Sequence, residues 1–376
     1  MALTSGHPMF RYLIKSSISI LCLVSVQYVY ANEHMDAGKL YQTNCAVCHG
    51  AIGKPDPENP VFRELGILPA NFTDPLFNSR EPSRDWFMVI KHGGAALGRS
   101  GIMPAFKDSL SDEEIHLIVA YVKTLAGYHG YPSGDMNFIL PIRTKKAFPE
   151  DEVVWKFRYQ NNIGDADRDQ VRNVLEIEKR FLKRFQFSFE LSHTFDDAID
   201  ENEGNIDQIE PGIKYVLYSS TTHQFITSLG TLVAIKTEEH SDSNEFIPYI
   251  AAAKRLTDKI TFQSTARADL PFDRFGDGSV ELSGVVHWSP SPWPRSLHPG
   301  LELVASFPIE RGTGSDRADF AQLSLIPQAQ IGLSKGGHIA LNLGAELPIN
   351  DTDRYDYKAY LYLIWDFADG GLLQGW

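Results

Sequence analysis

FQFSFELSHTF, residues 185–195, alternates residue by residue. Phe185, Phe187, Phe189, Leu191 and Phe195 take the odd positions, and Gln186, Ser188, Glu190, Ser192 and Thr194 the even ones. A period of two belongs to an extended strand, whose successive side chains point to opposite faces, so this strand has one apolar and one polar face. Val153 to Gln160 repeats the pattern, with Trp155, Phe157 and Tyr159 set against Lys156 and Arg158. Ile260–Leu270, Ile339–Leu347 and Tyr357–Phe367 follow it as well.

The strands come in hairpins. KRFLKRFQFSFEL at 179–191 parallels KRLTDKITFQ at 254–263, and GLSKGGHIALNL at 332–343 fits the same mould of strand, polar turn, strand. Outgoing strands close on similar cadences at Pro271, Pro308 and Pro348, where a residue without an N–H costs the ladder least. Laid end to end, the hairpins give about 12 strands, with short turns near 183, 221, 258, 292 and 336. The opposite connections, near 165, 200, 241, 275, 314 and 352, are longer and rich in Asp, Glu, Asn and Gly. An even strand number, roughly ten-residue strands, short turns at one rim and long polar loops at the other predict an all-β antiparallel up-and-down barrel of the bacterial outer membrane over residues 151–367. A soluble sandwich also alternates, but stops at about 7 to 9 strands. Trp288, Trp293 and Trp365 fall near strand ends, as interface aromatics do. Both barrel ends then lie on the short-turn, periplasmic side, with 368–376 as a periplasmic tail. The last strand, Tyr357 to Phe367, resembles the closing strand of outer-membrane proteins, except that nine residues follow Phe367. Residues 150–367 distantly resemble outer-membrane proteins of the meta-pathway phenol-degradation type, which implies passage of small, possibly apolar solutes.

The amino terminus reads as a secretory signal over 1–31. Arg11 and Lys15 precede the apolar run Ile18–Val29, and Val29-Tyr30-Ala31 supplies a cleavage site. The run is shorter than the roughly 20 residues that a membrane helix needs. Cys22 falls within it, preceded by Leu21 where lipidation requires a small residue. The formal net charge of −13 and the lack of any basic block exclude nucleic acid as the main partner. The mature, exported chain then keeps only Cys45 and Cys48, which fits a disulfide, a redox dithiol or a haem tether.

Cys45-Ala-Val-Cys48-His49 is the attachment pattern of c-type haem. Two thioethers to one porphyrin edge must come from one short turn, and His49 can then offer its imidazole to the iron. A redox dithiol needs a strand-helix scaffold that is missing from 34–60, and a structural zinc site needs a second ligand pair. Around the motif, 36–44 reads as a helix, and Ser111-Asp-Glu-Glu114 is a capping box opening another. That second helix carries Ile115, Ile118, Val119, Val122 and Leu125 at helical spacing and stops at Gly127. Met103, on the loop Gly101-Ile-Met-Pro104, is the candidate for the second axial ligand; a His/Met pair raises the reduction potential. Met88 sits in the helical run Trp86–Ile90 and reads as core, Met136 lies beyond the last helix, and His92 reads as a helix end. Leading helix, C-x-x-C-H, long loop, G-x-M-P and closing helix together resemble a class I c-type cytochrome domain over 32–130. That resemblance implies an all-α fold, one covalent haem c, one-electron transfer and a packing contact of Gly38 and Tyr41 with Tyr121. It also implies a proline carbonyl receiving the histidine's proton, with Pro55, Pro57 and Pro60 as candidates.

Residues 131–150, with Pro132, Gly134, Pro141 and Pro149, read as a linker. His193, His223, His240, His287, His298 and His338 lack ligand spacing, and no catalytic triad or phosphate loop is present. The expected function is therefore one-electron transfer without catalysis, by a monohaem cytochrome held in the periplasm by an outer-membrane barrel. Redox partner proteins and membrane lipid are its expected partners. The alternative is a channel for small solutes in which the cytochrome domain acts as plug, sensor or coupling module.

Overall fold

A computed structural model describes residues 37–127, 130–162, 169–196, 206–237, 243–273, 278–309, 321–350 and 355–367. The expected signal, the six long connections and the carboxy-terminal tail all centre outside these residues. The helices are α1 (residues 37–44), α2 (Ala46–His49), α3 (Pro60–Leu65), α4 (Pro75–Arg80), α5 (Ser83–His92) and α6 (Asp112–Thr124). The chain forms two compact units, one of the residues up to Asn78 with Phe106–His129, the other of Ser79–Ala105 with Gly130–Trp376.

In the first unit, α6 begins at the expected capping box. Ser111 Oγ accepts from the Glu114 amide at 3.2 Å, and Glu114 Oε2 accepts from the Ser111 amide at 2.8 Å. Ile115, Ile118, Val119 and Val122 are buried in a single stripe, as their spacing requires. The Tyr41 ring packs on Tyr121 with centroids 5.2 Å apart, and a methyl group added at Gly38 would lie 3.5 Å from the Tyr121 ring. The expected contact between first and last helix is therefore present. Gly53 has φ of +83°, and any Cβ there would come within 2.6 Å of Leu125 Cδ1. Asn78 Nδ2 donates to the carbonyls of Phe72 and Val122, tying the loop to α6.

In the second unit the strands are β1 (Glu152–Asn161), β2 (Gln170–Phe181), β3 (Phe185–Asp196), β4 (Gln208–Ser220), β5 (Phe225–Lys236), β6 (Glu245–Thr257), β7 (Ile260–Pro271), β8 (Gly278–Trp288), β9 (Leu297–Ile309), β10 (Gln322–Gly332), β11 (Ile339–Pro348) and β12 (Tyr357–Asp366). Each pairs with its chain neighbours, and β1 pairs antiparallel with β12 from Glu152↔Asp366 to Asn161↔Tyr357, closing a barrel of 12 strands. The short turns fall where the sequence places them.

The alternation sorts the side chains by face. Leu229, Ile250, Leu282, Leu301, Leu303 and Leu363 stand exposed on the outer wall, whereas Ser188, Glu190, Gln263, Glu281, Glu302 and Asn342 are buried inside it. A soluble barrel would invert this arrangement; an apolar exterior around a polar interior is that of a membrane-spanning barrel. The closure of β1 on β12 leaves no strand edge to face lipid.

One prediction follows from the outward face. Leu229→Lys, at the middle of β5, should cost about 2–4 kcal/mol in urea unfolding from lipid vesicles. An unchanged midpoint would mean that this wall faces water.

Candidate haem site and barrel interior

The C-x-x-C-H segment is one turn of helix. The Cys45 amide donates to Tyr41 O at 2.8 Å and the His49 amide to Cys45 O at 2.9 Å, so α1 runs almost directly into α2. Cys45 and Cys48 are both free thiols, Cys45 buried and Cys48 partly so. Burial, helped by the neighbouring Cys48, pushes the Cys45 thiol up to about 11, so at neutral pH it is protonated. Gly50 follows the motif with φ of +80°, and a Cβ there would strike Lys54 O at 2.0 Å; only glycine lets the chain turn away. Tyr41 is fully buried and its hydroxyl donates to Gly50 O at 2.8 Å, which fixes that turn; burial pushes the phenol well above its usual range.

His49 is oriented from two sides. Its ring stacks on Phe72, with centroids 4.4 Å apart and planes 18° apart. Nδ1 lies 3.1 Å from Ala70 O. A carbonyl can only accept, so Nδ1 carries the proton and the lone pair is on Nε2. Burial lowers the imidazole pKa, which keeps the ring neutral, as a metal ligand must be. Two free thiols and a neutral, oriented imidazole on one turn are the donor set that a thioether-linked haem requires, so these residues fit the group.

The histidine's acceptor differs from the expectation. It is Ala70 rather than Pro55, Pro57 or Pro60. Pro60 is the first residue of α3, where a missing N–H costs nothing, and Asn59 caps that helix by accepting from the Val61 amide at 3.0 Å. The loop is closed instead at its base, where the Phe72 amide donates to Gly53 O at 2.7 Å, and this brings Ala70 to the histidine.

Met103 belongs to the second unit, on a loop folded against the end of α5. The Gly94 amide donates to Met103 O at 3.0 Å, and a Cβ on Gly94 would lie 2.2 Å from Ser100 O, so the glycine pair 93–94 permits the loop to lie this close. His92 ends α5 and packs its ring on Trp293 at 4.6 Å, while Met88 and Met136 are core. Trp293 thus holds a helix against a barrel turn, an addition to the interface role read for it.

The segment 131–150 does more than link. It enters the barrel at the short-turn end, where Arg255 donates to Asp135 O at 2.8 Å. At mid-barrel it turns through Arg143, Thr144 and Lys145, and it returns to Asp151, which pairs with Lys179 and Arg180 at 2.7 Å each. Its backbone forms no ladder, so side chains of the wall replace one. Glu302, fully buried, accepts from the amides of Ile142 and Arg143 at 3.2 Å and of Thr144 at 2.6 Å. Gln263 and Asn342 donate to the carbonyls of Ile139 and Leu140, Tyr362 to that of Ile142, and Lys214 to those of Lys146 and Phe148. Arg143 pairs with Glu281 and Glu346, and Lys145 with Glu190 at 3.0 Å and Glu176 at 3.8 Å. The apolar residues of the segment pack between these contacts. Phe138 and Phe148 join Ile226, Ile247 and Tyr249, while Ile142 joins Val304, Ile326 and Tyr360. Gly344 leaves the room for Ile142, whose Cγ1 would be 3.0 Å from any Cβ there.

A closed barrel with an apolar exterior is that of a membrane β-barrel, and a helical C-x-x-C-H unit precedes it. The profile of one family, described as cytochrome c oxidase, cbb3-type, subunit III, matches residues 32–122. No curated protein matches the chain. Among solved structures, the chain is similar to a KdgM porin, at 14% identity and a TM-score of 0.40, over 57% of this chain and 99% of that one. It is also similar to the NanC porin, at 11% identity and a TM-score of 0.42 over 57% and 98% of the two chains. An outer membrane channel from Pseudomonas putida F1 is similar at 15% identity, with a TM-score of 0.41 over 61% and 99%.

The plug contacts make a stability prediction. Arg143→Ala takes one cation from both Glu281, which keeps Arg267 at 3.8 Å, and Glu346, which keeps Lys358 at 3.3 Å, and should cost about 1.5–3 kcal/mol. Glu302→Ala removes the acceptor of three buried amides, at about 1–3 kcal/mol for each donor left unmade. Urea unfolding of the barrel checks both; losses within about 0.5 kcal/mol, as for an ordinary surface change, would contradict a tightly held plug.

Proposed function

We propose that this protein is an electron carrier held at the bacterial outer membrane, its cytochrome domain on the periplasmic side. Haem c, joined to Cys45 and Cys48 through thioethers, would supply a one-electron couple. His49 would hold its iron through Nε2, and Met103, on the G-x-M-P loop, would be the second protein ligand. The carrying observation is His49, neutral, stacked on Phe72 and fixed in the right tautomer by Ala70 O. With His49 and Met103 both as ligands, the metal would have no open position for substrate, which favours a carrier over an enzyme. One haem does not reach across a hydrocarbon layer about 30 Å thick, so separate redox proteins bring and take the electrons.

The barrel serves as the anchor in this reading. Its interior is taken up by residues of its own chain from Phe138 to Phe148, which favours a closed wall over an open pore. The second reading, a solute channel, draws support from a cavity of about 320 Å³ beside the plug tip. Planar-bilayer recordings separate the two. The anchor predicts no steady conductance from the folded protein; a steady open pore would favour the channel.

Met103→Ala should lower the reduction potential and abolish the absorption band of thioether-bound ferric haem, while the reduced variant gains carbon monoxide binding. An unchanged potential, or ready binding of carbon monoxide by the unaltered protein, would refute the ligand assignment.

A further inference from the structure

The cations around the plug tip are met by carboxylates. Arg143 has Glu281 and Glu346, Lys145 and Lys156 share Glu176 and Glu190, Arg172 has Glu210 at 3.8 Å, and Arg267 has Asp269 at 3.2 Å. Two cations of the cavity lining depart from this pattern: Lys236, whose Nζ donates to Gln208 Oε1 at 2.7 Å, and Arg158. Arg158 lies on the polar face of β1 and donates to Gln170 Oε1 at 2.9 Å. Among the described residues no carboxylate stands within ion-pair distance of it, and its Nε is buried without an acceptor. The register places Arg172 directly opposite on β2 and Tyr360 directly opposite on β12.

Two like charges opposed across an antiparallel pair repel each other, and a sheltered guanidinium without a counter-charge is costly. Beside the two arginines lies the cavity of about 320 Å³, whose lining also includes Arg143, Thr144, Lys145, Lys156 and Tyr360. At roughly 30 Å³ per water it has room for about ten waters or one small organic molecule.

We infer that this cavity binds a small carboxylate monoanion, received by the planar fork of Arg158 with Arg172 beside it. The fork of a guanidinium matches a carboxylate through two parallel hydrogen bonds and so selects its geometry. A monoanion is chosen because one guanidinium lacks a partner, while Glu176, Glu190, Glu210 and Asp269 on the same walls repel anions of higher charge. The site stands apart from the redox reading, and a chain without haem binds equally.

Calorimetry on the full-length protein folded in detergent micelles, at fixed ionic strength, tests the site with propionate, its neutral isostere propionamide, and inorganic phosphate. Propionate should bind saturably and at least tenfold more tightly than propionamide. Arg158→Gln should lose at least tenfold in propionate affinity, and Arg158→Lys should lose less. The heat-dependent gel mobility of the folded barrel should be unchanged in both. Should Arg158→Gln fail to fold, the unaltered protein still decides, because propionate but not propionamide should raise its melting temperature. Absence of saturable binding, equal affinity for propionamide, or full affinity in a folded Arg158→Gln protein would overturn the site. Preference for phosphate would overturn its assignment to carboxylates.

Discussion

Everything inside the barrel depends on satisfying the backbone of residues 139–150 where no strand can pair with it. A peptide at membrane depth has no bulk water to receive its amides and carbonyls, so an irregular segment survives there only if protein groups take water's place. Glu302 does this for three consecutive amides at the tip, and Gln263, Asn342, Tyr362 and Lys214 do it for the carbonyls on either side. A carboxylate with no exposed surface would be unfavourable by itself. Set against several N–H groups and the Thr144 hydroxyl, it becomes the acceptor around which the tip folds.

The charges of the wall follow from the same requirement. Arg143 and Lys145 at the tip bring positive charge into a sheltered interior, and Glu281, Glu346, Glu190 and Glu176 face them. Such pairs add little net stability over apolar packing, but breaking one partner is expensive, so they specify one seated position for the plug. Apolar contacts of Phe138, Phe148 and Ile142 supply the nonspecific part of the attraction. The barrel is then a filled cylinder rather than a pipe, and the polar alternation of strands such as β3 serves the plug as well as solvent.

Much of this was legible in the sequence. The barrel, its closure, its short turns and its strand faces follow from a period of two held over 12 segments, because lipid outside and polar groups inside constrain every residue. The spacing of Cys45, Cys48 and His49 was legible as a candidate haem motif, and the structure gathers the three onto one helical turn. The plug was not. Its prolines and lack of periodicity look the same whether a segment is solvated or satisfied by partners 120 to 220 residues away, such as Gln263 and Tyr362. Ala70 was missed for a related reason: a backbone carbonyl leaves no mark on residue identity, and family habit pointed to prolines. A signal for the plug did exist in Glu302, a fully buried inward glutamate that no ion pair with a wall cation balances among the described residues.

A covalent haem on Cys45 and Cys48 and a folded barrel in the outer membrane are here proposed for one polypeptide. Separation of cell membranes followed by gel electrophoresis with haem staining measures both at once. The account predicts a haem-stained band in the outer-membrane fraction whose mobility changes when the folded sample is boiled. A haem band in the soluble periplasmic fraction, or one in the membrane with the same mobility before and after boiling, would contradict it.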